Sequence, residues 1–244
     1  MIALVTFDFW QTLFADTAES AAAAHALRLA GVGKVLARAG HPYDAAAMDT
    51  ADARALAALQ SIWQEHRDVT HHQQVRIFLE AIDPALPTTL APVDREAVAS
   101  AYAAPVLTYT PVLAPGAVDA IRELGARGLQ LGVISNTGRT PGAMLHRLLA
   151  RLGLADGTHV LSFSDEGGAR KPAPEIFERT LARAGCRPAE AVHVGDDPAA
   201  DVAGARAVGM GAVHYVPDDR PAAAGASGVL RHFADLPALL TRLA

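Results

Sequence analysis

The sequence predicts an α/β protein whose core is a doubly wound, mostly parallel sheet, with a smaller α-helical domain set into it. Two patterns point there. Short apolar, partly β-branched runs that end abruptly at polar or acidic residues alternate with helical periodicity through the second half of the chain, as in parallel strands joined by helices. A stretch rich in Ala, Leu, His and Arg interrupts that alternation after its first strand and reads as a helical insertion. The insertion places the core at residues 1–15 and 110–244 and the helical domain at 16–109.

Residues 2–7 are apolar or β-branched up to Asp8, as expected of a buried strand that delivers this carboxylate to its carboxyl end. From 17 to about 104 apolar residues recur at helical spacing, for instance Leu27, Leu29, Val35 and Leu36, then Leu56, Leu59, Ile62 and Trp63. Pro105, Pro111 and Pro115 punctuate the return, and 108–114 reads as a hinge. Residues 117–127 give a helix with Val118, Ile121 and Leu124 on one face and Gly128 after its end, and 129–134 a strand ending at Ser135. Residues 159–163 and 191–194 read as strands flanking a helix over Pro174–Ala184 that stops at Gly185. A strand over 208–216 and a helix over Leu236–Leu243 complete a Rossmann-like alternation. In such a sheet ligands bind beyond the carboxyl ends of the strands, where Asp8, Ser135 and Asp196 all fall.

Hydrophobic residues make up 51% of the 244 and charged residues 19%, enough apolar surface for a sizeable core. With 21 Lys and Arg against 26 Asp and Glu, the net charge is -5 and the arginines are scattered, which argues against a nucleic-acid partner. No apolar run reaches about 18 residues, and the first ten residues lack both a basic segment and a small-residue cleavage site. The expectation is a soluble, cytoplasmic protein with no membrane partner, monomeric or homodimeric. Cys186 is the only cysteine, so there is no internal disulfide, and it reads as a packing residue.

Four segments carry the chemistry: FDFWQTL at 7–13, GVISNTG at 132–138, RKPAPEIF at 170–177 and VGDDPAADVAGARAVGM at 194–210. Each alone is ordinary; as an ordered set they resemble the haloacid dehalogenase-like hydrolase superfamily. The insertion between the first two resembles its helical-cap subclass, in which a cap domain closes over the crevice and admits small-molecule substrates. The resemblance implies that Asp8 is a nucleophile forming a covalent intermediate. It implies that Ser135 hydrogen-bonds the transferring group and that Lys171 neutralises the charge gathering between nucleophile and substrate. Mg2+ would be held by Asp8, the main-chain carbonyl of Trp10 and Asp196. Asp197 and Asp201 are further metal candidates, each open between that role and capping the next helix. Trp10, Thr12, Asn136 and Thr137 are expected to border the substrate, Thr12 chiefly as a hydroxyl fastening the loop after Asp8.

The chain departs from the family pattern at two positions. Phosphatases of the superfamily carry a second Asp two residues after the nucleophile, which protonates the leaving group; here that residue is Trp10, whose indole is neither acid nor base near neutral pH. General acid–base catalysis is typically worth about 10² to 10⁴ in rate. Gln11 stands where Gly is usual, which is expected to crowd the loop. Three readings follow. One is a Mg-dependent hydrolase of small phosphorylated metabolites whose acid comes from elsewhere or is not needed. A second is a 2-haloacid dehalogenase, whose family pattern has an aromatic residue at this position and no metal; it would need a cap arginine such as Arg28, Arg38 or Arg67. The third is a non-catalytic or regulatory relative. Trp10, Phe14, Tyr43 and Trp63 are candidates for the apolar wall of the pocket, with Trp63 better explained as core. His66, His71 and His72 read as the exposed end of a helix.

Overall fold

The computed structural model describes residues 1–151 and 160–243. The chain opens with β1 (Leu4–Phe7) and a two-residue strand β2 (Phe14–Ala15). Helices α1 (Ala18–Arg38), α2 (Ala45–Gln64), α3 (His71–Ile82), α4 (Leu86–Thr89), α5 (Pro92–Ala103) and α6 (Pro105–Thr108) follow. Then come β3 (Val112–Leu113), α7 (Ala117–Ala126), β4 (Gln130–Ser135), α8 (Gly142–Arg151), β5 (Val160–Phe163), α9 (Ser164–Gly167) and α10 (Pro174–Ala184). The chain ends with β6 (Ala191–Gly195), a π-helical turn (Pro198–Ala203) running into α11 (Gly204–Ala207), β7 (Gly211–Tyr215), β8 (Gly228–Leu230) and α12 (Leu236–Leu243).

Six strands form one sheet in the order β5-β4-β1-β6-β7-β8, and every neighbouring pair is parallel. The central strands are buried on both faces, which is why they read as nearly continuous apolar runs. The chain winds outward from β1 through β4 and β5, then restarts on the other side with β6. The reversal therefore falls between β1 and β6, and the crevice beyond their carboxyl ends is the expected ligand site.

Helix ends follow local chemistry. Gly185 stops α10 in the left-handed conformation, φ 63°, as its position after Ala184 predicts. Thr17, Asp44 and Thr70 cap α1, α2 and α3 through their side-chain oxygens. Strand boundaries differ more. β1 begins at Leu4 rather than residue 2, and β7 at Gly211 rather than 208, because Gly209 turns there with φ 86°. His159, the expected start of β5, lies outside the described residues. Helix α8, strand β8 and a ribbon of β2 and β3 were not expected; in the ribbon Phe14 pairs with Leu113 and Ala15 with Val112, so both chain crossings between sheet and helices run side by side.

The helices α1–α5 pack around their own apolar cluster, including Leu29, Val32, Leu36, Met48, Phe78 and Tyr102. Separate clusters cover the two faces of the sheet, one around Phe7, Phe9 and Phe233, the other around Ile134, Phe177 and Val202. Each fully buried large side chain contributes roughly 1.5–3 kcal/mol. Among the described residues, no helix is long and apolar enough to cross a membrane.

Polar contacts join the helices to the sheet. Arg139, after β4, pairs with Asp52 of α2. Gln74 of α3 donates to the Gly138 carbonyl at 3.0 Å. An antiparallel bridge joins Arg67 to Ala169, beside the ion pair of Asp68 and Arg170 at 2.7 Å. Trp63 belongs to this seam rather than to the helical core: its Nε1 donates to Asp68 and the Arg170 guanidinium lies 4.5 Å from its ring centroid.

Candidate active site

Parallel pairing sets the site. Phe7 lies level with Val133 on one side and Val194 on the other, so Asp8, Ser135 and Asp196 emerge together at three adjacent strand ends. The Asp8 amide donates to the Val194 carbonyl at 2.8 Å, which fixes the first residue beyond the strand.

Lys171 stands at the centre. Its Nζ lies 2.5 Å from Asp8 Oδ1, 2.6 Å from Asp201 Oδ1 and 2.7 Å from the Ile134 carbonyl. Asp201 also receives His193 Nε2 at 3.1 Å and the Asp197 amide at 2.9 Å. His193 has Thr6 Oγ1 at 2.9 Å from Nδ1. If neutral, the ring therefore donates to Asp201 and accepts from Thr6, and burial holds its pKa down. Gly195 makes this possible: a Cβ there would sit 2.2 Å from the Asp201 carboxyl carbon.

One ammonium between buried carboxylates leaves negative charge uncompensated. Burial first, and then Asp201 and Asp196, push the Asp8 carboxyl up to about 7 against the pull of Lys171. Burial also works to raise Asp201, but Lys171 and His193 outweigh it and hold that carboxyl well below the usual range. Asp196 is raised to about 6 by burial and by Asp201. Lys171 is raised because its two carboxylates outweigh its own burial. Carboxylate oxygens of Asp8, Asp196 and Asp201 lie within 4.8 Å of one another. An all-oxygen, net-negative set of this size suits a hard divalent cation. The two backbone bonds that close the loop after Asp8 use the Phe9 and Phe14 carbonyls, leaving that of Trp10 outside them.

The other sequence candidates divide. Ser135 is fully buried and its hydroxyl has no partner among the described residues. Asn136 is spent on bracing Lys171: its side chain donates to the Lys171 carbonyl at 3.0 Å and accepts the Lys171 amide at 2.9 Å. Thr137 engages Ser164 through its amide at 3.0 Å and its hydroxyl at 3.2 Å. Thr12 reaches Asp196 at 3.4 Å, fastening the loop to a second strand end. Asp197 does not join the cluster; its carboxylate caps the turn through the Ala199 and Ala200 amides. Gln11 is exposed and does not crowd the loop; it takes the left-handed φ of 58° that a glycine would. Trp10 is half-buried, edge-on to Phe9 with centroids 4.9 Å apart. Phe14 and Tyr43 pack into core instead of the pocket. His71 Nε2 contacts the Ala99 carbonyl and His72 lies 3.2 Å from Glu96.

Sequence reasoning missed His193 and His214. His193 is a polar residue in an otherwise apolar strand, which was the available signal. His214 receives the Ala223 amide on Nδ1 and donates through Nε2 to the Asp196 carbonyl at 2.9 Å, anchoring that residue's backbone.

Comparison with known proteins gives a consistent result. Residues 2–209 match the family model for haloacid dehalogenase-like hydrolases. A ribulose-1,5-bisphosphate 5-phosphatase of Halopiger xanaduensis is 39% identical over 107 residues, 44% of this chain and 44% of its own length. A phosphoserine phosphatase of Thermus thermophilus is 35% identical over 156 residues, 64% of this chain and 59% of its own length. The chain thus spans less than two thirds of either relative. Among solved structures, a 2-haloacid dehalogenase from Pseudomonas syringae pv. Tomato superposes with a TM-score of 0.76 at 28% identity, covering all of both chains.

Proposed function

The chain belongs to the haloacid dehalogenase-like hydrolase family, and from that premise we propose that it is a magnesium-dependent phosphatase of small phosphorylated metabolites, working through a covalent intermediate on Asp8. The observation that carries this reading is the gathering of Asp8, Asp196 and Asp201 oxygens within 4.8 Å of one another, with the Lys171 ammonium bridging Asp8 and Asp201. A phosphoryl group brings three oxygens that need donors, and Lys171 and the unpartnered Ser135 hydroxyl supply them from the protein. Asp8 attacks phosphorus, the bond to the leaving oxygen breaks with its electron pair, and water later cleaves the acyl phosphate to regenerate the carboxylate. The phosphatase activities of the curated relatives support the same class.

Asp8, Asp196 and the Trp10 carbonyl would hold Mg2+, with Asp201 orienting Lys171 beside it. Bound there, the ion supplies positive charge that keeps Asp8 ionised and stabilises charge developing on the phosphoryl oxygens. With Trp10 in place of an acid, the substrates that react best are those with good leaving groups. Residues 16–109 act as a cap that shuts the crevice from water, and the single cysteine suits a reducing cytoplasm.

A second reading is favoured by one feature: Trp10 places an aromatic residue where the 2-haloacid dehalogenases carry one, and the Pseudomonas dehalogenase shares the whole architecture. One experiment separates them. Wild type and Asp8→Asn are assayed with para-nitrophenyl phosphate, acetyl phosphate and 2-chloropropionate, each with and without magnesium. Magnesium-dependent phosphate release is expected, falling at least about 10³-fold in the variant. Metal-independent chloride release would establish dehalogenation, and silence on all three would mark a non-catalytic relative.

A further inference from the structure

The segment between α2 and α3 grips the sheet away from the β2–β3 ribbon. The Asp68 amide donates to the Gly168 carbonyl at 2.8 Å and the Arg170 amide to the His66 carbonyl at 2.9 Å, with Arg67 and Ala169 paired antiparallel between them. The Asp68 side chain is fully buried there and divides its two oxygens between the two sides. Oδ1 accepts from Trp63 Nε1 at 3.0 Å and from the Val69 amide at 2.9 Å, both on its own side. Oδ2 accepts from Ser164 Oγ at 2.6 Å and from Arg170 Nη1 at 2.7 Å, both in the chain after β5.

These last two partners lead to one residue by separate routes. Arg170 immediately precedes Lys171 in the chain. Ser164, its proton given to Asp68, accepts the Thr137 amide at 3.0 Å. Thr137 follows Asn136, whose side chain clasps the Lys171 amide at 2.9 Å and the Lys171 carbonyl at 3.0 Å. The contacts close a ring that runs from Asp68 through Ser164, the 136–137 loop, Lys171 and Arg170 back to Asp68. Two donors on each oxygen of a buried carboxylate fix its orientation as well as its charge, which is more than tying two surfaces together requires. An ammonium that bridges Asp8 and Asp201 at 2.5 and 2.6 Å depends on where its main chain sits. We propose that Asp68 is a positioning residue for Lys171, setting the ammonium against Asp8 through Arg170 and through Ser164, Thr137 and Asn136. Docking of the helices and assembly of the site are then one event. For its effect on turnover this rests on the phosphatase reading above.

Two readouts test it, one of them without turnover. Amide hydrogen exchange is followed residue by residue by NMR in wild type and in Asp68→Asn, which keeps the shape but removes the charge and turns one acceptor into a donor. Exchange at the Lys171 amide is expected to speed at least about tenfold, while Val133 and Val194 in the sheet stay within about twofold. With para-nitrophenyl phosphate and magnesium, kcat is expected to fall roughly tenfold to hundredfold with KM within about threefold, because Lys171 acts on charge that develops in the transition state. Asp52→Asn breaks the buried ion pair with Arg139, outside the ring, and is expected to lower stability while kcat stays within about threefold. Unchanged exchange at Lys171, unchanged kcat in Asp68→Asn, or an equal loss of kcat in Asp52→Asn overturns the proposal. If Asp68→Asn does not fold, Ser164→Ala cuts the route through Thr137 and leaves the Arg170 ion pair, and unchanged exchange at Lys171 then overturns it. Absence of phosphate release by the wild type would sink the phosphatase reading and leave the exchange comparison to decide the positioning.

Discussion

The crevice at the strand ends and the seam between helices and sheet both bury charge, but they balance it differently. At the seam, Asp52 meets Arg139, with His25 at 3.6 Å, and Asp68 meets Arg170, so each acid faces at least one base. Asp68 is saturated as well, accepting from Trp63 at 3.0 Å, the Val69 amide at 2.9 Å, Ser164 at 2.6 Å and Arg170 at 2.7 Å. In the crevice, Asp8, Asp196 and Asp201 gather together with Lys171 bridging Asp8 and Asp201, and among the described residues the Ser135 hydroxyl has no partner. Balanced, saturated pairs hold surfaces together and leave nothing for a ligand. An unbalanced cluster with an orphaned donor leaves room for a cation and for a group with oxygens to spare.

The strongest way to break the contrast is to remove the ammonium that bridges Asp8 and Asp201. Lys171→Met strands buried carboxylates and should lower the unfolding free energy by about 3–5 kcal/mol, read by urea denaturation. A loss under about 1 kcal/mol would mean that water already solvates the cluster. Trp10→Asp sharpens the contrast next, by adding the missing acid at the mouth of the crevice. Ethyl phosphate hydrolysis should rise about 10²-fold while an activated aryl phosphate gains little. An equal gain on both would show that leaving-group protonation is not what Trp10 withholds.

A further effect, spread over a range of pH, lies on the seam side. Asp165 accepts the Gly142 amide at 3.1 Å, yet burial pushes its carboxyl from 3.8 up to about 6. The unfolded chain ionises near the lower value and the folded chain near the higher, so the folded state holds the proton more tightly. Stability should therefore fall as pH rises from about 4 to about 6, by up to about 3 kcal/mol from this group. Asp165→Asn should flatten that part of the pH profile of urea unfolding; an unchanged slope would place the titration elsewhere.

How much was legible follows from how local each signal is. Asp8, Ser135 and Asp196 lie one or two residues beyond apolar runs, so strand periodicity alone carried them to the same edge of the sheet. Gly185 and Pro174 bounded α10 correctly because caps are read within one turn. Asp197 and Asp201 could not be told apart, since both sit at the start of a helical turn. Only folding shows that Asp197 caps while Asp201 turns inward to Lys171. Gln11 was judged by residue type, whereas its exposed side chain lets it keep the turn a glycine would make.

The sequence by itself determined the fold class, the strand ends that carry the candidate groups and the absence of an acid at position 10, because hydrophobic period, turn chemistry and motif order are written within a few residues. The tertiary structure decided the charge partners. Lys171 and Asp8 are 163 residues apart, Thr6 and His193 187, and Arg139 and Asp52 87. No local pattern encodes such pairs, because each exists only once the helices have packed and desolvation has made an unpaired charge unfavourable. Arg28 is a clear case: the sequence offers it as one arginine on a helix, and only packing shows it buried beside Tyr102 and Arg139.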